Sequence, residues 1–231
     1  MNWNNIEIVT LIKLEFDMLY YNTVTPLLKS TLLVLMAEEI FAPFRLVGGT
    51  NLSLRLGHRM SDDIDLFTDA LYGSLNFNIY ETYLRTKFPY FEKVDKTSIV
   101  GFGRGYYIGN SKDDCIKLDL MYTDEFIRTE EVKDGVRMAS VDDIVAMKIN
   151  AILGGGRKKD FWDIHKLLES YSIKEIIALH KERHYWEYEE ENVLNALINF
   201  DNANEMDDPI CLEHKNWDDI KLDIINEVTS I

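Results

Sequence analysis

In "RLVGGTNLSLRLGHRMSDDIDLFTD", residues 45–69, two glycines follow an apolar run and four aspartates crowd the final eight positions. Asp63 and Asp65 flank Ile64. On a strand both carboxylates leave one face, roughly 6.5–7 Å apart along the chain. At that spacing they either hold a divalent cation together or raise one another's pKa. Asp119, in "IKLDLMY", stands in a run where Ile116, Leu118 and Leu120 alternate with Lys117, Asp119 and Met121, which predicts a second strand. If that strand pairs beside "DIDLF", three carboxylates converge on an oxygen-ligand site suited to Mg2+ or Mn2+, as phosphoryl chemistry requires. Gly48-Gly49 adds backbone N–H groups that a phosphate can approach closely.

A second group follows. Val141, Ile144, Val145, Lys148 and Ile152 fall on one helical stripe, so Lys148 takes a place that the pattern reserves for apolar residues and points inward. An inward ammonium needs an anion, either a structural carboxylate or a triphosphate. Asp160 and Asp163, three residues apart beside Phe161, Ile164 and Leu167, either orient Lys148 or meet a base or ribose; Asp160 could also merely neutralise "RKK".

Other motifs carry less. "GGGRKK" lacks the G-K-[ST] of a phosphate loop and reads as a connection between helices. "GFGRGYYIG" mimics a dinucleotide fingerprint without a following helix. "DIDLFT" has Phe67 where an aspartyl phosphatase has threonine. His58, His165, His180, His184 and His214 are expected to be surface or packed residues, scattered at no ligand spacing.

These residues need elements to position them. The first forty residues read as helix, with Thr25-Pro26 as N-cap and N1 and Pro43 as the stop. "FRLVGG" reads as a strand, Thr50 as the cap of a helix ending near Gly57, and "DIDLF" as the next strand. "SLNFNIYETYLRTKF" has helical spacing up to Pro89. Strand-like pieces follow at "FEKV", "TSIVGF", "GYYIG" and "CIKLDLMY". From Ser140, whose pairing with Asp143 imitates a capping box, the chain reads as helical to its end. The class predicted is α+β: a small mixed β-sheet core flanked by helices over residues 1–139, then an all-helical C-terminal part over 140–231.

Composition bounds the function. A chain of 231 residues, 46% of them hydrophobic, can bury a sizeable core. Its net charge is −15, and residues 166–231 carry 6 Lys and Arg against 16 Asp and Glu, so a nucleic acid would have to meet a local basic patch. Arg55, Arg59, Arg104, Arg157, Lys158 and Lys159 are expected to form one contiguous positive rim beside Asp63 and Asp65. Two cysteines and the lack of a basic start followed by an apolar run predict a cytoplasmic protein with no membrane partner.

"GGTNLSLRLGHRMSDDIDLF" resembles the signature of the AbiEii/AbiGii-type nucleotidyltransferase toxins, a branch of the DNA polymerase β-like superfamily, whose pattern is G-G-[ST] followed by R-x-S-x-D-[IL]-D-L-F. "SVDDIVAMKINAILGGGRKKDFWDIHKLL" resembles that family's lysine helix and the Lys/Arg-Asp-x-x-Asp segment after it. With Asp119, the likeness spans residues 44–168; the last sixty match nothing comparable. It implies a nucleotidyltransferase core with the metal on Asp63, Asp65 and Asp119, which carry the catalysis. It also implies an NTP held by Gly48, Gly49, Thr50, Arg59, Ser61, Lys148, Asp160 and Asp163, the triphosphate being the anion it favours for Lys148. The implied reaction moves NMP from NTP to RNA, expected to be tRNA, in the toxin of a type IV toxin–antitoxin pair used in phage defence, with a cognate antitoxin. Transfer to a small molecule or protein hydroxyl, and a non-catalytic nucleotide-binding protein, are the alternatives.

Overall fold

The computed structural model describes residues 18–94, 102–186 and 188–231. The earliest part of the expected N-terminal helix and most of the strand expected at "TSIVGF" lie outside them. Helix α1 (Pro26–Ala37) starts as expected: the Thr25 side chain accepts from the Leu28 N–H, and Pro26 needs no donor there. It ends at Ala37, before Pro43, because a 3-10 turn (Glu39–Phe41) follows.

Seven strands form one sheet: β1 (Arg45–Leu46), β2 (Asp63–Thr68), β3 (Tyr90–Lys93), β4 (Gly103–Ser111), β5 (Asp114–Tyr122), β6 (Glu131–Lys133) and β7 (Val136–Met138). Their order is β3-β4-β5-β2-β1-β7-β6. The sheet is mixed, with β2 parallel to β5, β1 parallel to β7 and the remaining neighbours antiparallel. The β6–β7 hairpin has no counterpart in the sequence reading. Its turn is Asp134-Gly135, both at positive φ (50° and 77°), the conformation that a two-residue hairpin with native twist demands.

Ile64 and Leu66 of β2 and Leu118 and Leu120 of β5 turn to one face of the sheet, where α1 and α3 (Phe77–Lys87) cover them. The other face carries Asp63, Asp65, Phe67 and Asp119, because residues alternate along a strand. Over that face lie α2 (Gly48–Leu56) and the helices that begin at residue 141: α4 (Val141–Leu153), α5 (Lys158–Leu167), α6 (Ile173–Arg183), α7 (Glu190–Leu197), the short α8 (Asp201–Asn204) and α9 (Trp217–Thr229). These helices share a core of their own, which reaches Val47 and Leu52 beside the sheet. Ser140 caps α4, accepting from the Asp143 N–H. No helix among the described residues is long and apolar enough to cross a membrane.

Candidate active site

The turn between β1 and α2 is built for close approach. Val47 is the extended N-cap of α2, no side chain caps the helix, and its first turn holds no acidic residue. Thr50, expected to be the cap, sits inside the first turn instead, because the helix begins at Gly48. Gly48 has φ +69°, and a Cβ there would collide with the Asp65 carboxylate. A Cβ on Gly49 would collide with the Arg59 guanidinium. The two glycines therefore bring the backbone against β2 and against Arg59, and they leave the positive end of the α2 dipole beside the carboxylates.

Asp65 and Asp119 are register partners on the parallel pair β2–β5, and Asp63 lies opposite Lys117. The three carboxylates thus share a face, as the alternation predicts. They do not share one centre, and among the described residues no group of three acidic, histidine or cysteine side chains is drawn together as for a metal ion. Two ammonium groups pair with them: Lys117 Nζ donates to Asp119 Oδ2 at 2.5 Å, and Lys159 Nζ lies 3.4 Å from Asp63 Oδ2. Neutralisation is incomplete. Asp119 Oδ1 is buried without a hydrogen-bond partner. Burial, then the charges of Asp119 and Asp63, push Asp65 up to about 6 despite Lys117 and Lys148. An orphaned carboxylate oxygen next to a carboxyl that holds its proton too tightly is a site short of positive charge, and these oxygen donors fit a hard divalent cation.

Thr50 and Ser61 brace the start of β2. The Thr50 hydroxyl donates to the Asp63 carbonyl, which leaves Ser61 Oγ to donate to Thr50 Oγ1 across 2.8 Å. Gly48, Gly49, Ser61, Asp63, Asp65, Asp119, Lys148 and Asp160 line one cavity of about 230 Å³, together with Lys117, Arg157 and Lys159. Lys117 is the charged lining residue that the sequence reading passed over, although its place two residues before Asp119 on the same strand face signals it.

Below the cavity floor lies a buried ionic network. Asp163, fully buried, accepts from Arg59 Nε and Nη2 at 2.7 Å each, lies 2.7 Å from His58 Nε2 and 2.6 Å from Lys148 Nζ. Lys148 also donates to Asp160 at 2.7 Å, and Arg157 Nε donates to Asp160. Burial raises both carboxyls, but the cations outweigh it: Lys148 and Arg157 bring Asp160 down to about 2, and Arg59 and Lys148 hold Asp163 well below the ordinary range. Arg59 is 1% exposed. Arg59 and Asp163, expected among the NTP contacts, are therefore occupied with each other beneath the cavity, and the anions on Lys148 in this structure are carboxylates. Three cations against two carboxylates leave a positive surplus under the site.

The C-terminal segment fastens this network from outside. Met60 N–H donates to the Ile210 carbonyl and Leu212 N–H to the His58 carbonyl, with Arg59 and Cys211 as bridge partners.

The expected basic rim does not form. Arg59 is buried, Arg55 pairs with Glu131, and Lys158 pairs with Asp208 over the Trp217 ring. Arg104, opposite Leu120 in register, faces α3 and pairs with Glu81 on the far side of the sheet. Arg157 and Lys159 alone of the six line the cavity. Each of the others found a nearer carboxylate, which a sequence with 40 acidic residues supplies in excess.

Comparison with known proteins matches residues 31–230 to the family described as nucleotidyl transferase AbiEii toxin, type IV TA system. An uncharacterized protein of Aquifex aeolicus (strain VF5) is 31% identical over 173 residues, 70% of this chain and 76% of that one. Among solved structures, JHP933 from Helicobacter pylori aligns with a TM-score of 0.55 at 16% identity, covering 87% of this chain and 89% of that one. The MenT4 nucleotidyltransferase toxin from Mycobacterium tuberculosis H37Rv aligns with a TM-score of 0.55 at 12% identity, covering 87% and 80%. At such identities the likeness to both structures is one of fold.

Proposed function

Because the chain belongs to the AbiEii nucleotidyltransferase toxin family of type IV toxin–antitoxin systems, we propose that it moves NMP from an NTP to an acceptor hydroxyl and releases pyrophosphate. The observation that carries this reading is the contact of Gly48 with Asp65, which sets an uncapped helix N-terminus against a carboxylate face. Asp63, Asp65 and Asp119 would hold Mg2+ or Mn2+, which when bound would supply charge stabilisation for the phosphoryl group and its leaving oxygen. The backbone at Gly48 and Gly49 and the side chains of Ser61 and Arg157 receive the triphosphate, and the surplus charge around Lys148 favours the departing pyrophosphate. Asp163 and Arg59 keep Lys148 and the glycine turn in place. A cavity of about 230 Å³ is smaller than the roughly 300–1,000 Å³ of drug-sized sites, so it takes the phosphates and leaves the nucleobase toward its mouth.

For the acceptor, only Arg157 and Lys159 of the six expected rim cations line the cavity, which favours a partner that brings few phosphates to the site. The terminal hydroxyl of an RNA such as tRNA meets that condition and agrees with the family; a small-molecule or protein hydroxyl is the second reading, favoured by the same dispersal of Arg55, Arg104 and Lys158. In this reading the protein is the toxin of a phage-defence pair and is restrained by a cognate antitoxin. The test incubates purified protein with each labelled NTP, Mg2+ and either total RNA or RNA-depleted lysate over a salt series. Label on RNA with a shallow salt slope, on the order of −1 to −1.5 for two phosphate contacts on a single strand, supports the chain-end reading. Label on protein or small molecules moves the acceptor to the second, and no incorporation with any NTP overturns the transferase reading.

A further inference from the structure

The sequence reading treated the five histidines as scattered, but His180 and His184 stand four residues apart at the end of α6, with ring centroids 5.0 Å apart. His180 is 1% exposed, and neither of its ring nitrogens has a hydrogen-bond partner. A buried polar ring left unpaired is costly, and buried groups of this kind are normally satisfied. Beside it is a cavity of about 210 Å³, lined also by Asn150 of α4, Glu189 and Asn192. We propose that His180 and His184 form a metal site of their own, for a transition-metal ion such as Zn2+, away from the carboxylate cavity.

The chemistry of the donors selects the ion. Two imidazoles suit Zn2+ and its neighbours, whereas Mg2+ takes oxygen ligands, so the two sites divide the metals between them. Both ring nitrogens of His180 are buried without a hydrogen-bond partner, and a neutral imidazole binds a metal ion through such a nitrogen lone pair. Glu189, the N-cap of α7, lines the same cavity and supplies the carboxylate; its Oε2 now accepts from Asn192 Nδ2 and has to turn toward the rings. Water completes the shell. An ion there ties the end of α6 to the start of α7, across a connection that the fold otherwise closes through aromatic contacts such as His184–Trp186 and His180–Tyr188.

The test uses the full chain after treatment with EDTA, titrated with Co2+ and followed by visible absorption, with thermal melting alongside. The expected result is one equivalent of Co2+ with the d–d bands of nitrogen ligation, displaced by Zn2+ and not by millimolar Mg2+, and a rise in Tm on Zn2+ addition. The signal persists in Asp63→Asn/Asp65→Asn, disappears in His180→Gln and His184→Gln, and weakens at least tenfold in Glu189→Gln, whose exposed side chain leaves the fold intact. Absence of stoichiometric binding, binding that survives the histidine changes or is indifferent to Glu189→Gln, or loss of the signal with the aspartates overturns the proposal.

Discussion

Asp163 holds Arg59 and Lys148 on one carboxylate, 104 residues from the first and 15 from the second. The aspartate is fully buried and both cations nearly so, so each charge depends on the others for compensation. Asp163→Asn should lower stability by about 3–5 kcal/mol, the usual cost of breaking a buried pair by removing one partner. Urea denaturation reads it as a fall in the midpoint at constant slope. A loss under 1 kcal/mol would mean that Arg59 and Lys148 find other anions.

Asp65 carries the opposite linkage. Its carboxyl, raised to about 6 by burial and by Asp119 and Asp63, binds its proton more tightly in the folded chain than in the unfolded one. That contribution to stability is complete below about pH 4 and is lost as pH rises through about 6. Asp65→Asn should therefore abolish transfer while raising stability by about 1–3 kcal/mol at pH 8 in EDTA, a gain of roughly 2–4 °C in Tm per kcal/mol that vanishes at pH 4. An unchanged or lower Tm at pH 8 contradicts the charge-deficient site.

Gly48→Ala meets two obstacles, a left-handed φ and the Asp65 carboxylate. The backbone alone costs roughly 1–2 kcal/mol, and displacing Asp65 should cut transfer at least tenfold. Gly73→Ala is the control: its φ is +79° and nothing lies within 4 Å of the added methyl, so it should cost stability without touching activity. Equal activity in the two variants would remove Gly48 from the site.

Lys117 competes with a cation for Asp119. Lys117→Met removes that ammonium, and half-saturating Mg2+ for transfer, measured at pH 8, should fall several-fold. A requirement that stays level or climbs would make Lys117 a ligand-side contributor instead of a stand-in for the ion.

The legible parts of the fold were those with a short period or a local cap. Asp63-Ile64-Asp65 alternates on two faces, Thr25-Pro26 caps α1, and Ser140 caps α4, each within a few residues. Side-chain direction across long separations was not legible. Arg59 belongs to a motif that also holds Asp63 and Asp65, but the motif does not say that Arg59 turns under the glycine turn toward α5. The rim failed for the same reason, since Arg55 and Arg104 chose Glu131 and Glu81, 76 and 23 residues away. The β6–β7 hairpin was missed because each strand has only three residues, and its sole strong signal is Asp134-Gly135. His180 and His184 had a helical signal too, their spacing of four.

The strap between residues 58–60 and 210–212 has a consequence for synthesis. A growing chain presents Asp63 and Asp65 to the cell long before Asp163 can take up Arg59, and longer still before Ile210 and Leu212 can close over His58 and Met60. At about 5–20 residues per second, roughly seven to thirty seconds separate the emergence of the carboxylate strand from that of its last fastening. Once Asp119 has been made, the nascent chain carries all three carboxylates while the residues that fasten them from outside are still missing, so the network around His58 and Arg59 closes only after residues 210–212 have left the ribosome.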